Sequence, residues 1–179
     1  IRKFKLGMAV SAALLAMAAP SVPATAQSGV QTNTENLQDA LRRIAQNSND
    51  SSALADAGLA ALELGDIRAA IGFLAKADQI YSTSGRVKVG LGRALLAEEN
   101  PFGAIRYFVA NGTPAHEIAA DRGLAYDLIG RNRDAQRDYQ LAMRHDRSTG
   151  LILRHAVSLG ISGDVEQAEA QLAPLLQKS

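Results

Sequence analysis

The sequence predicts an all-α fold, a helical-repeat solenoid of about four helix-turn-helix units behind a capping helix. Three observations carry the prediction. Ala70, Ala104, Ala135 and Ala168 recur at intervals of 34, 31 and 33 residues. Gly58, Gly92, Gly123 and Ala156 recur at the same three intervals, twelve residues earlier each time. Between the two series stands a helix-breaking hinge: Gly65-Asp66, Gly130-Arg131-Asn132 and Gly163-Asp164, replaced once by Asn100-Pro101.

Each element has a physical reason. Small side chains let facing helix axes approach closely, and larger neighbours fill the space beside them. Those neighbours stand four residues after the alanines, at Leu74, Phe108, Tyr139 and Leu172, followed at three more by Ala77, Asn111, Ala142 and Leu175. A hinge glycine permits the left-handed turn that ends a helix. Asp66 and Asp164 accept free amide protons at the start of the next helix. Asn100 caps in the same way, with Pro101 at the first helical position, where a missing N–H costs nothing.

Read from its start, the chain opens with a basic Arg2, Lys3 and Lys5, an apolar run from Leu6 to Ala19, and a small-x-small site at Ala24-Thr25-Ala26. That is the pattern of a secretory signal peptide over 1–26, cleaved after Ala26. The apolar run falls short of the ~20 residues that span a bilayer, so no stable membrane anchor is expected after cleavage, and no Cys follows to carry a lipid. An exported, periplasmic protein is expected. The first residue is Ile and the fourth repeat ends without a cap, which reads as a fragment of a longer protein.

Residues 27–34 are polar and are expected to form a flexible leader. Leu37, Ala40, Leu41 and Ile44 have helical spacing and predict the capping helix. Asn47 to Ser52 reads as a turn in which Asp50 or Ser51 caps the next helix. The repeats then run over about 51–84, 85–115, 116–148 and 149–179, within a domain of 35–179. Asn111-Gly112 and Pro114 cut the second repeat short and predict a local distortion of the stack. The last helix presents Val165, Ala168, Leu172, Leu175 and Leu176 with no further repeat to cover them, whereas repeat arrays normally end in a polar cap.

The packing residues, Gly58, Ala70, Ala77, Gly92, Ala104, Phe108, Gly123, Ala135, Tyr139, Ala142, Ala156 and Ala168, resemble the signature of the tetratricopeptide repeat (TPR), over roughly 51–179. The sequence departs from it at Ser82 and Arg147, where that family carries Pro, and at Asn111. The resemblance implies a superhelix whose concave groove is lined by the first helix of each repeat and holds a protein or peptide segment. It places Arg86, Arg93, Asp121, Asp127 and Arg154 on the concave side. Lys, Arg and Asn at set positions clamp a C-terminal carboxylate in chaperone-binding members. Here Ser52, Asp56, Gly90 and Ala97 stand there beside Arg86 and Arg93, so that clamp is absent. Arg86 and Arg93 lie two helical turns apart; they either receive an acidic group together or pair with Asp121 and face water. The segments ENPFGAIRYF and ADRGLAYDLIGRNRDAQRDY also resemble envelope TPR proteins that end in a peptidoglycan-binding SPOR domain, and more distantly Tad-pilus assembly factors.

Composition excludes several functions. A chain of net charge +1 that loses Arg2, Lys3 and Lys5 turns slightly acidic and has no electrostatic reason to hold nucleic acid. Zero Cys removes thiol chemistry, and the few aromatics without Trp offer no stacking platform for sugars or bases. His116-Glu117 lacks the second His of a zinc helix, so no metal is expected. Gly90-Leu91-Gly92 lacks the final glycine and the strand of a dinucleotide loop, and no cofactor is expected. Gly160-Ile161-Ser162-Gly163 has the wrong spacing for a nucleophile elbow. The chain is therefore expected not to be an enzyme. Arg131, Arg133, Arg137, Arg144 and Arg147 interleave with Asp134, Asp138 and Asp146, which reads as a solvated, self-paired surface. Self-association through the uncapped last repeat is the alternative to a groove ligand.

Overall fold

A computed structural model describes residues 24–82, 84–109 and 114–176, with side chains from residue 28 onward. Among the described residues there are nine helices and no strand: α1 (Ala24–Gln46), α2 (Ser51–Glu63), α3 (Ile67–Ile80), α4 (Gly85–Ala97), α5 (Pro101–Val109), α6 (Ala115–Leu128), α7 (Asn132–Ala142), α8 (Thr149–Ile161) and α9 (Val165–Leu176). Four antiparallel pairs, α2–α3, α4–α5, α6–α7 and α8–α9, stack in chain order. The fold is a TPR-like solenoid.

The hinges repeat one hydrogen-bond pattern. In each, the third residue past the helix end donates to a carbonyl five residues back: Asp66 to Ala61 (2.9 Å), Asn100 to Leu95 (2.8 Å), Arg131 to Tyr126 (2.8 Å) and Asp164 to Leu159 (2.9 Å). The residue before it closes a shorter loop and must adopt positive φ, the geometry of a Schellman cap. Gly65, Gly130 and Gly163 do so at φ 81, 76 and 89°. Glu99 occupies the same place in the second pair at φ 60°, the one non-glycine of positive φ among the described residues. In the first two pairs the next helix starts on a side-chain cap, Asp66 Oδ1 accepting from the Ala69 amide and Asn100 Oδ1 from the Gly103 amide, both at 3.0 Å. Asp50 caps α2 through the Ala53 amide at 2.9 Å.

Within each pair the small residues sit where the helices touch. A Cβ built on Gly58 would lie 2.5 Å from Leu74 Cγ, one on Gly92 2.5 Å from Phe108 Cε1, and one on Gly123 2.9 Å from Tyr139 Cε1. Leu74, Phe108 and Tyr139 are buried in return, each contributing about 2–3 kcal/mol through lost water contact. Ala70, Ala77, Ala104, Ala135, Ala142, Ala156 and Ala168 are buried as well. In the last pair Ala168 packs with Ala156 and Leu159, and Leu172 lies against them. Part of the apolar face expected to be bare on α9 is thus turned inward, while Val165 and Leu176 remain exposed.

Which side is concave follows from which helices meet. The first helices touch their successors, α2 with α4, α4 with α6 and α6 with α8. Among the described residues the backbones of the second helices α3, α5, α7 and α9 stay apart from one another. Crowding on one rail and separation on the other curves the stack around its first helices.

Two expectations need correction or placement. Residues 27–34 are not a leader apart from the fold: they form part of α1, which runs unbroken into the amphipathic segment that packs Ala40 and Ile44 toward α2. The polar stretch is compatible with helix because its hydroxyls fold back on the chain, Thr32 Oγ1 donating to the Ser28 carbonyl at 3.0 Å and Thr34 Oγ1 to that of Val30 at 2.8 Å. The expected signal peptide lies outside the described residues except for the backbone of 24–26, and Asn111 and Gly112 also lie outside them. α5 is the shortest helix described, at nine residues.

Candidate functional site

The inner rail places α2, α4, α6 and α8 side by side, and the groove is built from their exposed positions. A hollow of about 420 Å³ lies across α2, α4 and the start of α6, lined by Leu59, Arg86, Val89, Arg93, Glu117 and Ile118. Arg86 and Arg93 do border one space, as their two-turn spacing implies. Each is nevertheless already engaged by the chain itself. Arg86 Nη1 lies 2.8 Å from Asp56 Oδ1, and Arg93 Nε lies 2.7 Å from Asp121 Oδ2. Of the alternatives open in the sequence, Arg93 takes the one that pairs it with Asp121. The Asp56 partner of Arg86 is a residue that sequence reasoning did not connect to it.

Asp56 is held from both sides, since Arg43 of α1 donates to its other oxygen at 2.8 Å. That hydrogen bond raises the Arg43 pKa above its ordinary value. Arg43 also reaches the capping Asp50 at 3.2 Å. The Asp50 carboxyl is held below the usual range, first by the Ala53 amide and then by this guanidinium.

Asp127, like Arg86 and Arg93, is engaged by the chain itself. It sits half-buried at the seam of the third and fourth pairs, accepting from Ser158 Oγ at 2.7 Å and Asn132 Nδ2 at 2.9 Å. Arg154, on α8, is exposed and makes no ion pair among the described residues.

The arginine-rich stretch is self-paired in part, at Arg131 and Arg137. Arg131 Nε bonds Asp134 at 2.6 Å, and Arg137 bonds the same carboxylate. These hydrogen bonds, that of Arg137 foremost, lower the Asp134 pKa. Asp138 breaks the pattern: it is buried and receives a bidentate pair from Arg122 of α6, Nε and Nη2 each at 2.7 Å. The Asp138 hydrogen bond raises the Arg122 pKa.

Side chains that suggest catalysis are otherwise employed. Ser158 is fully buried and donates to Asp127, not to His155. His155 is buried 6.2 Å from the Tyr139 ring with neither ring nitrogen hydrogen-bonded. Burial pushes its pKa down, more strongly than nearby Gln171 and Asp127 push it up. Burial likewise pushes the Tyr139 hydroxyl far up. His116 stacks on His145 with ring centroids 4.4 Å apart, and among the described residues no group of three metal-ligating side chains converges. No described helix is long and apolar enough to cross a membrane.

Comparison with known proteins agrees with this architecture at the level of fold. MamA 41-end from Desulfovibrio magneticus RS-1 superposes with a TM-score of 0.73 at 19% identity, over 86% of this chain and 90% of that one. YrrB, described as a TPR protein with an unusual peptide-binding site, gives 0.66 at 18%, over 83% and 79%. TTC0263, a thermophilic TPR protein of Thermus thermophilus, gives 0.62 at 18%, over 86% and 91%. The chain has the TPR fold. No known family's sequence profile matches it, and no curated protein does either.

Proposed function

We propose that this chain is a non-catalytic scaffold of the bacterial cell envelope that captures a segment of another protein along the groove of α2, α4, α6 and α8. The observation that carries the reading is the curvature: the first helices crowd together and leave an open, side-chain-lined trough on their inner side. That a TPR protein of similar fold, YrrB, has a peptide-binding site adds support. Hydrogen exchange tests it. A bound peptide, found by screening a synthetic peptide array, is expected to slow exchange on the first helices and leave α3, α5 and α7 unchanged. Protection confined to the second helices overturns the reading.

Export by residues 1–26 belongs to the same proposal, supported by the basic start, apolar run and Ala24-Thr25-Ala26. A fusion of these residues to a reporter active only in the periplasm is expected to be active. The resemblance to SPOR-ended envelope proteins supports a role near peptidoglycan, and a SPOR domain encoded beyond Ser179 is the expected finding; Tad-pilus assembly is the alternative setting. A second reading, self-assembly through the last pair, is favoured by exposed Val165 on α9. Light scattering across a concentration series that gives a strict monomer eliminates it.

A further inference from the structure

The groove has two halves of different chemistry, and the difference narrows the partner. On the α2/α4 side the guanidinium groups are already paired, Arg86 with Asp56 and Arg93 with Asp121. An acidic ligand there has to displace a carboxylate already seated at 2.8 or 2.7 Å. The α6/α8 side is apolar at the matching register. Where α4 carries Arg93 and Ala97, α6 carries Leu124 and Leu128, and α8 carries Val157 and Ile161. Leu128, Leu153, Val157 and Ile161 are 56, 44, 59 and 67% exposed.

Steps of four residues put Leu153, Val157 and Ile161 on one face of α8, and Leu124 with Leu128 on one face of α6. The bond from Ser158 Oγ to Asp127 Oδ1 clamps the two helices together beside these residues. They therefore form one strip. Single exposed apolar residues are ordinary, whereas a contiguous strip marks a contact surface. At its edge stands Arg154, exposed and without an ion pair among the described residues.

Resting on the groove reading above, we propose that the α6/α8 half binds an amphipathic segment of a partner protein. Large apolar side chains of that segment cover the strip, and an Asp or Glu beside them meets Arg154. A second copy of this chain fits less well, because a symmetric pairing of the strips brings Arg154 toward its own counterpart. Unpaired like charges at an interface oppose association.

The test uses the full chain and a labelled synthetic peptide of about 12 residues, ~18 Å as a helix. It carries Leu at four-residue steps with Glu alongside, and binding is read by fluorescence anisotropy. Val157→Glu and Ile161→Glu are each expected to raise its Kd by about tenfold or more. Both sites are exposed, and unchanged circular dichroism verifies that the variants fold. Arg154→Ala is expected to raise the Kd roughly threefold or more for the Glu peptide and to change nothing for a Gln version. Lys76→Ala, at an exposed position of the outer helix α3, is expected to leave the Kd unaltered. No measurable binding, or parent-like binding by Val157→Glu and Ile161→Glu, overturns the inference. If those variants are silent and Arg93→Ala weakens binding, the groove reading stands and only the assignment to α6/α8 falls. If exchange protection appears on the second helices alone, both fall. A dimer in light scattering that Val157→Glu dissolves shows a second copy on the strip and likewise overturns the inference.

Discussion

Glu99 violates the rule its three counterparts obey, and the violation has a measurable size. All four hinges close with the same pair of backbone hydrogen bonds, so the residue at this place must have positive φ whatever its side chain. Three hinges use glycine, and the fourth forces a Cβ into the left-handed region at φ 60°. A side chain there costs about 1–2 kcal/mol, offset by the roughly 0.5–1 kcal/mol of extra chain entropy that a glycine loses on folding. Glu99 also adds negative charge, with Glu98, at the C-terminal end of α4, which the helix dipole disfavours by about 0.3–1 kcal/mol. Glu99→Ala removes the charge and keeps the Cβ, whereas Glu99→Gly removes both. Glu99→Gly is expected to stabilise by about 1 kcal/mol overall, a rise of roughly 2–4 °C in midpoint for a chain of this size, and to exceed Glu99→Ala by several tenths of a kcal/mol or more. The reciprocal change, Gly65→Ala, is expected to destabilise by about 1 kcal/mol. Nothing lies within 4 Å of the added Cβ, so that loss comes from the backbone alone. Thermal and urea unfolding followed by far-UV circular dichroism read all three. If Glu99→Gly is no more stable than Glu99→Ala while Gly65→Ala melts like its parent, the hinge does not impose this conformation and the reasoning fails.

Other perturbations separate packing from electrostatics. Gly123→Leu drives side-chain atoms into the buried Tyr139 ring, 2.9 Å from the first added carbon, and is expected to cost about 1–3 kcal/mol or more in urea unfolding. Gly160→Ala meets no atom within 4 Å and is expected to gain about 0.5–1 kcal/mol, as alanine does inside a helix. Arg122→Ala strands the buried Asp138 carboxylate and is expected to cost about 3 kcal/mol, more than loss of the half-exposed Arg93 pair, which surface measurements put at ~1 kcal/mol or less. His155 has a folded pKa below the unfolded value near 6.5, so below that pH the unfolded chain takes up protons first. Stability is expected to be full above about 6.5 and to erode as pH falls through it until the folded pKa is passed. His155→Leu should flatten that part of the pH profile, and an unflattened profile assigns it to other groups.

The parts legible in the sequence are those written into each repeat separately. Gly58, Gly92 and Gly123 face Leu74, Phe108 and Tyr139 sixteen residues later in every case, so a fixed offset reveals the contact without a structure. The hinges are equally local, a glycine and a cap side by side. Residues 27–34 escape a reading by composition because their polarity says nothing about a hydroxyl that turns back to a carbonyl four residues earlier. Burial within the third and fourth pairs is illegible for a related reason. Burial of His155 and Asp138 depends on neighbours from other helices, and composition within one helix does not disclose it.

The links between successive first helices explain both what the sequence conceals and what remains for a partner. Asp56 reaches Arg86, Arg93 reaches Asp121, and Asp127 receives Ser158. Each connects a helix to its successor across close to one repeat length, and a search for complementary polar residues at that separation finds all three. These links hold the inner rail together, so the groove's polar groups are in large part consumed in making the groove. What they leave without an ion pair toward the end of α6 and along α8 is mainly apolar, with Arg154 beside it and Glu117 at the start of α6. Selection among partners therefore falls to the strip of Leu128, Leu153, Val157 and Ile161, because displacing a seated carboxylate costs a ligand its own gain, whereas covering exposed aliphatic surface costs only the ordering of the segment that covers it.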